Sequence, residues 1–304
     1  MPMYHCEREK MGEGSKAMTI VVSITKEAHG GVYREDKNVP EHLKTLRIPP
    51  AWTNVTVNPD PKASCYAMGL DSKMRVCRLY APHHTKAASQ AKFDKTHLLF
   101  KQAARIEAKL VKAVHKQTCN DTEIVAYLIF EMGLRPGSLT DTKADKQAYG
   151  AITLQARHVK VMASGTVYLH FTGKKGVTIH QKVKNPFLQR CLYAKKLSAD
   201  GRYTARLFDT NPGKLNAYIK SICEGCNPKD FRTLKSTQIA TNFMEGKRIP
   251  KTKAKAKLML RKLFIAVSCV LGNTPAVCRK SYVCPTIYEP LTQVIGDKPV
   301  KIQE

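Results

Sequence analysis

The chain has 304 residues, 43% of them hydrophobic, so it is long and apolar enough for one large globular domain or two ordinary ones. It carries 51 Lys and Arg against 24 acidic residues, a formal charge of +27. That excess indicates a polyanionic partner, with nucleic acid ahead of an anionic membrane surface. The longest apolar stretch, Leu263 to Leu271, is interrupted by Ser268 and is too short to span a bilayer. The N-terminus lacks the apolar core of a signal peptide, so we expect an intracellular protein.

Ten cysteines are expected to be reduced thiols in such a compartment, because it does not favour disulfides. Cys223 and Cys226 form one C-x-x-C, but no second pair lies at zinc-ligand spacing. We therefore predict no metal site.

The first 80 residues predict short strands separated by turns. The strand-like runs are Met18 to Ile24, Thr53 to Asn58, Cys65 to Gly69 and Arg75 to Tyr80. Residues 81–92 are polar and show no periodicity, and they are the predicted domain boundary. We expect a β-rich N-terminal domain over residues 1–85 and a mostly helical domain over residues 86–304.

A helix is predicted from Lys95 to Gln117, because apolar residues recur there at the 3.6-residue period of a core-facing stripe: Leu99, Ala103, Ile106, Leu110 and Val114. The opposite stripe is basic and has few acids to offset it, which favours a phosphate-facing surface over a merely solvated one: Lys101, Arg105, Lys109, Lys112 and Lys116.

A second helix is predicted between Asn120, with Glu123 at capping-box spacing, and Gly133, a favoured residue just past a helix end. Residues 151–184 return to strand character and turn at residues 173–176. Several helices follow, and the last is predicted to begin at Thr274-Pro275. The expected fold class is α+β, with a three-stranded insert in the helical domain.

The chain has no Gly-Lys-Ser/Thr phosphate loop and no tight acidic cluster, which argues against an ATP-driven motor and a two-metal nuclease. It does place basic residues at the ends of predicted elements: Arg135, Lys174 and Arg232. Each alone is an ordinary capping or solvated residue.

The run from Gly272-Asn273-Thr274-Pro275 to Tyr282 resembles the active-site tyrosine segment of type IB DNA topoisomerases, in the compact poxvirus and bacterial form. Five further segments fall in the family's order. They are Ile48 to Trp52, Gly69 to Arg75, Leu134 to Gly137, Phe171 to Lys174 and Lys229 to Arg232.

The resemblance implies a nucleophile at Tyr282, which would form a bond to the DNA 3′ end. It implies phosphate-binding roles for Arg135, Arg232 and Asn273, and a general acid at Lys174. Lys73, Arg75, Tyr80 and Lys229 are candidate DNA contacts. The family acts as a monomeric clamp on double-stranded DNA and uses no nucleotide, cofactor or metal, so we expect relaxation of positive and negative supercoils.

Three positions depart from the family pattern. Asn273 stands where poxvirus members have histidine, and it keeps a donor without the charge. Met74 and Cys77 replace the usual Gly and Gln of the N-terminal motif. Lys175 neighbours Lys174, so the general acid is one of two adjacent lysines.

Two alternatives stay open. A tyrosine recombinase uses the same Arg, Lys and Tyr constellation, but such enzymes carry His where this chain has Lys229. A non-catalytic DNA-binding protein would have lost a catalytic residue, and the change at Asn273 is the one departure at those positions.

Overall fold

The computed structural model describes residues 41–44, 46–49, 51–58, 60–116, 118–143 and 147–296. The chain divides into two compact units, residues 1–92 and 93–304. The strand predicted at Met18 to Ile24 lies outside the described residues. Within the described ranges, no helix is long and apolar enough to cross a membrane.

The first unit contains a short helix, α1 (Glu41–Lys44), and an antiparallel sheet of β1 (Thr53–Val57), β2 (Cys65–Leu70) and β3 (Val76–Tyr80), in that order. The three predicted strands are confirmed within one or two residues. A small core forms where Leu43, Val57, Tyr66, Ala67 and Ala81 pack together.

Residues 81–92, the predicted domain boundary, are not irregular, because helix α2 (Pro82–Lys101) covers all of them after Ala81. Pro82 occupies the first turn, where its missing N–H costs nothing. The Ala81 carbonyl accepts bonds from the backbone N–H and the hydroxyl of Thr85. Local hydrogen bonding therefore starts a helix that apolar periodicity does not show, and the division between the units falls inside α2.

The helix predicted over Lys95 to Gln117 is two helices, the end of α2 and α3 (Ala103–Val114), with a break at Gln102. The predicted apolar stripe is buried along both helices, so the break leaves the core-facing period intact. The predicted basic stripe is exposed at all five positions. Helix α4 (Asp121–Met132) has the predicted capping box of Asn120 and Glu123 and ends at Gly133 in the left-handed conformation.

A second antiparallel sheet follows, with strands β4 (Val159–Val161), β5 (Val167–Thr172) and β6 (Thr178–Lys182) in that order. Its turn lies at Lys174–Gly176, as predicted. The remaining helices are α5 (Pro186–Leu197), α6 (Pro212–Ile222), α7 (Pro228–Met244), α8 (Lys253–Leu271), α9 (Pro275–Ser281) and α10 (Pro285–Ile295). The described part of the chain is thus α+β, with two small sheets among helices.

Two predictions are wrong in this unit. Helix α9 begins at Thr274-Pro275 as expected, but it is not the last helix, because Pro285 starts α10 only three residues after Tyr282. Cys223 and Cys226 form a disulfide instead of staying reduced. The turn after α6 brings their Cα atoms to 5.4 Å, which is within disulfide range.

Two apolar clusters fill the second unit. The larger is centred on α4, which is buried almost all round, and includes the inner face of the β4–β6 sheet. The second joins α8, α9 and α10 and contains the ring of Tyr282. The ends of α4, α7, α8 and α9 and the β5–β6 turn contribute the residues described next.

Candidate active site

The Arg135 segment is fixed by backbone hydrogen bonds to residues 150–152. Gly133 ends α4 at a φ of 66°, and the chain then turns toward Ala151. The Ala151 and Ile152 amides donate to the carbonyls of Arg135 and Pro136, each at 2.8 Å. A Cβ at Gly150 would lie 2.6 Å from the Arg135 carbonyl oxygen, so this close approach requires glycine. The guanidinium of Arg135 therefore extends from a rigid support.

The Arg135 guanidinium reaches the segment between α8 and α9. Its Nη1 donates to the Gly272 carbonyl at 3.1 Å, and its Nη2 donates to Oδ1 of Asn273. The Asn273 Nδ2 is buried and has no hydrogen-bond partner among the residues described. Asn273 therefore accepts a hydrogen bond from Arg135 through Oδ1, while its Nδ2 is enclosed by the protein.

Lys174 lies in the turn of the β5–β6 hairpin. The Gly173 amide closes that turn by donating to the Val177 carbonyl at 2.7 Å. Lys175 adopts a left-handed conformation, with φ of 63°. Two adjacent lysines in different backbone conformations point differently, and Lys174 lines the cavity described below whereas Lys175 does not.

Helix α7 begins with a capping box between Asn227 and Asp230, with Pro228 at its first position. This start places Lys229 and Arg232 in the first turn and a half of the helix. Lys229 is exposed, whereas Arg232 is only 3% exposed. An Asx cap of this kind fixes the phase of a helix and hence the direction of both side chains.

Arg232 is a buried cation held by two helix ends. Its Nε donates to the Gly133 carbonyl at 2.9 Å and its Nη2 to the Leu271 carbonyl at 2.8 Å. These bonds use two of the five N–H donors of a guanidinium and leave three that neither carbonyl occupies. Burial lowers the pKa of Arg232 to about 10, so the side chain still carries its charge at neutral pH.

Tyr282 follows the last residue of α9, directly against Arg232. Thr274 caps α9 by accepting from the Val277 amide at 3.3 Å. The Tyr282 ring is 9% exposed, and the Arg232 Cζ lies 5.2 Å from its centroid. The nucleophile candidate is therefore buried in the core by its ring and paired with a guanidinium at one face.

A cavity of about 440 Å³ brings five of the predicted residues together: Arg135, Lys174, Lys229, Arg232 and Tyr282. Asn273 is tied to that group through Arg135. Four cationic side chains around one phenol can neutralise a phosphodiester and stabilise the charge that it gains during attack. No cluster of three or more potential metal ligands lies in the described ranges.

The remaining predicted DNA contacts belong to the first unit. Arg75 forms an ion pair with Asp71 at 2.6 Å, and this partner holds the pKa of the Asp71 carboxyl at about 2. Tyr80 is half exposed and stacks on His84, with ring centroids 5.0 Å apart. Lys73 is exposed in the β2–β3 turn. These residues lie on one hairpin of the β1–β3 sheet.

Sequence reasoning missed several polar residues that line the same cavity: Ser138, Asp141, Asn216 and Asn227. They come from three separate segments, and no spacing rule links them. Asn227 alone carried a signal, since it precedes a proline and lies three residues before Asp230. That pattern identifies a helix start but not a cavity wall.

The chain matches two family models. The catalytic core of eukaryotic DNA topoisomerase I matches over residues 82–302, and the N-terminal domain of bacterial DNA topoisomerase IB matches over residues 27–71. A DNA topoisomerase 1B of Acanthamoeba polyphaga mimivirus is 28% identical over 260 residues, which cover 80% of this chain and 77% of the relative. A DNA topoisomerase 1 of Rabbit fibroma virus is 22% identical over 275 residues, covering 83% and 81%. The first match covers more than two thirds of the chain, and the chain therefore belongs to the type IB DNA topoisomerase family.

Proposed function

We propose that this protein relaxes positive and negative supercoils by cutting and resealing one strand of duplex DNA through Tyr282. The observation that carries the proposal is that Tyr282, Arg135, Arg232 and Lys174 line one cavity together. The family match supplies the class of reaction. The geometry supports the assignment of roles to residues.

In the cleavage step, the Tyr282 phenolate oxygen attacks the phosphorus and forms the new P–O bond, and the bond to the 5′ oxygen breaks. The phenol proton passes to solvent. Arg135 and Arg232 donate to the non-bridging oxygens, where negative charge develops, and Asn273 adds an amide donor. Because a guanidinium presents paired N–H groups in a plane, it suits this task better than an ammonium.

The departing 5′ oxygen is strongly basic and needs a proton. Lys174 is the proposed donor, because it lines the cavity from the hairpin turn whereas Lys175 does not. Lys229 at the start of α7 would contact a phosphate beside the cleaved bond. The phosphotyrosine conserves the energy of the phosphodiester, so rotation of the free strand and resealing need neither nucleotide nor metal ion.

Binding of the duplex is attributed to charge. The +27 excess includes the exposed basic stripe between Lys101 and Lys116. The proposal includes Lys73, Arg75 and Tyr80 as contacts from the N-terminal unit, a monomeric clamp around DNA, and action inside a cell. Affinity should fall steeply with salt, because phosphate contacts release counterions.

The test is relaxation of supercoiled plasmid with EDTA present and ATP absent, with the wild type beside Tyr282→Phe. We expect the wild type to relax both signs of supercoil and the variant to bind DNA without relaxing it. Failure of the wild type to relax DNA that it binds would contradict the proposal. Strand exchange between paired sites would instead indicate a recombinase.

A further inference from the structure

Two side chains of helix α7 contact Tyr282, those of Arg232 and Ser236. Ser236 lies four residues after Arg232, so both side chains leave α7 on the same face. Arg232 meets the Tyr282 ring. The Ser236 hydroxyl donates to the Tyr282 backbone carbonyl, with Oγ and O 2.6 Å apart.

The bond from Ser236 supplies a donor to a carbonyl at the end of helix α9. Tyr282 follows the last helical residue of α9, and carbonyls at a helix end lack the partner that the next turn would supply. Ser236 is fully buried, so water does not reach its side chain to replace the bond. The single hydroxyl hydrogen of Ser236 is shared between the Tyr282 carbonyl and that of Thr233, which lies 2.8 Å from Oγ within the same helix.

The two contacts fix different parts of the nucleophile. The amides of Tyr282 and Val283 both donate to the Cys278 carbonyl, at 3.0 and 3.1 Å, which ties the residue to α9. Ser236 ties the same residue to α7, the helix that carries Arg232. The distance between the phenol and the phosphate-binding guanidinium thus depends on a bond that joins the two helices.

We propose that Ser236 is a positioning residue, which holds Tyr282 in register with Arg232 and thereby sets the rate of strand cleavage and resealing. This inference rests on the proposed function. Small errors in the placement of a reacting group are costly, and a displacement of about 1 Å can slow a reaction by about a hundredfold.

The experiment compares Ser236→Ala with Ser268→Ala in the full-length protein. Ser268 is a buried serine on α8 whose hydroxyl donates to the Ile265 carbonyl at 2.8 Å, three residues earlier. The control therefore loses a local helix bond of the same kind but no bond to Tyr282. Both variants are assayed for DNA affinity, for single-turnover cleavage and for resealing of the covalent complex.

We expect Ser236→Ala to slow cleavage and resealing together by about tenfold or more, with DNA affinity unchanged and the control near wild type. The pH profile of cleavage should keep its shape, because no titrating group is removed. Wild-type rates in Ser236→Ala would overturn the inference and leave the proposed function intact. Absence of any cleavage by the wild type would instead contradict the proposed function.

Ser236→Cys serves if the alanine variant does not fold. It keeps a donor at the same position, although a thiol is bulkier than a hydroxyl and a weaker donor, so cleavage should fall less than in Ser236→Ala. Equal slowing in Ser236→Cys and Ser268→Ala would indicate a general packing effect and overturn the positioning role.

Discussion

Replacement of Arg232 by lysine separates charge from geometry in the cavity. Arg232 spans two carbonyls, those of Gly133 and Leu271, and still has N–H groups for a phosphate. A lysine keeps the positive charge but has one ammonium at the end of a flexible chain. It cannot hold two helix ends and a phosphate oxygen at the same time.

The cost to folding is bounded by those two bonds. A hydrogen bond to a charged group contributes about 1.5–3 kcal/mol to the free energy of unfolding. Losing one of the two costs about that amount, while domains of ordinary stability unfold with about 5–15 kcal/mol. Arg232→Lys should therefore fold. The variant should nevertheless cleave DNA slowly, because removal of one preorganised donor to a developing oxyanion slows a reaction by about 10²–10³-fold.

The assay is single-turnover cleavage of a duplex at saturating protein, with DNA affinity measured separately. Arg206→Lys is the matched control, because Arg206 also donates to a backbone carbonyl, that of Phe208 at 2.9 Å, but does not line the cavity. We expect slow cleavage and normal binding for Arg232→Lys alone. Wild-type cleavage by this variant would refute the reasoning, because charge without geometry would then suffice.

Three further predictions follow from particular contacts. Lys174→Ala should slow cleavage, a 5′-thio leaving group that needs no proton should restore it, and Lys175→Ala should cleave normally; lack of rescue would move the acid elsewhere. Gly272→Ala should lower the free energy of unfolding by about 1–3 kcal/mol in denaturant titration, because the new Cβ would lie 2.1 Å from Ile179 Cδ1 at a φ of 59°; unchanged stability would show that the hairpin yields freely. Burial lowers the pKa of His158 from 6.5 to about 4. Between these two pH values the imidazole is protonated in the unfolded chain and neutral in the folded one. His158 alone should lower the free energy of unfolding by at most about 3 kcal/mol as the pH drops from 6.5 to 4. The variant His158→Gln should have a flatter pH dependence of stability than the wild type, and an unaltered slope would contradict the prediction.

Capping residues in the sequence predicted the helices whose ends they define. Asn120 with Glu123 and Gly133 define both ends of α4, and the structure has the expected capping box and left-handed end. The start of α9 at Thr274-Pro275 is confirmed for the same reason. The residues of β1–β3 and β4–β6 follow from alternation and turns.

The elements that sequence reasoning missed depend on features that periodicity does not register. Helix α2 begins in a polar segment, where backbone bonds to Ala81 and not an apolar stripe start the helix. Helix α10 starts at Pro285, only four residues after the end of α9 at Ser281. With so short a connection, the sequence does not distinguish a second helix from the first. The Cys223–Cys226 pair is close because of a turn after α6.

The residues of the cavity were likewise predicted in part. Arg135, Lys174, Arg232 and Tyr282 come from segments up to 147 residues apart, and only the ordered resemblance to a family linked them before the fold was known. No local pattern predicts that Arg232 bonds the ends of α4 and α8, or that Ser236 bonds Tyr282. Those contacts are long-range consequences of packing.

The most direct test of the account is to identify the residue that becomes covalently attached to DNA. A 3′-labelled or 5′-labelled duplex is incubated with the protein, the reaction is stopped with denaturant, and the DNA-linked peptide is sequenced by mass spectrometry. We expect attachment of the DNA 3′ end to Tyr282 and no adduct with Tyr282→Phe. Attachment to another residue, with Tyr288 the nearest tyrosine in the chain after it, or an adduct formed by Tyr282→Phe, would contradict the account.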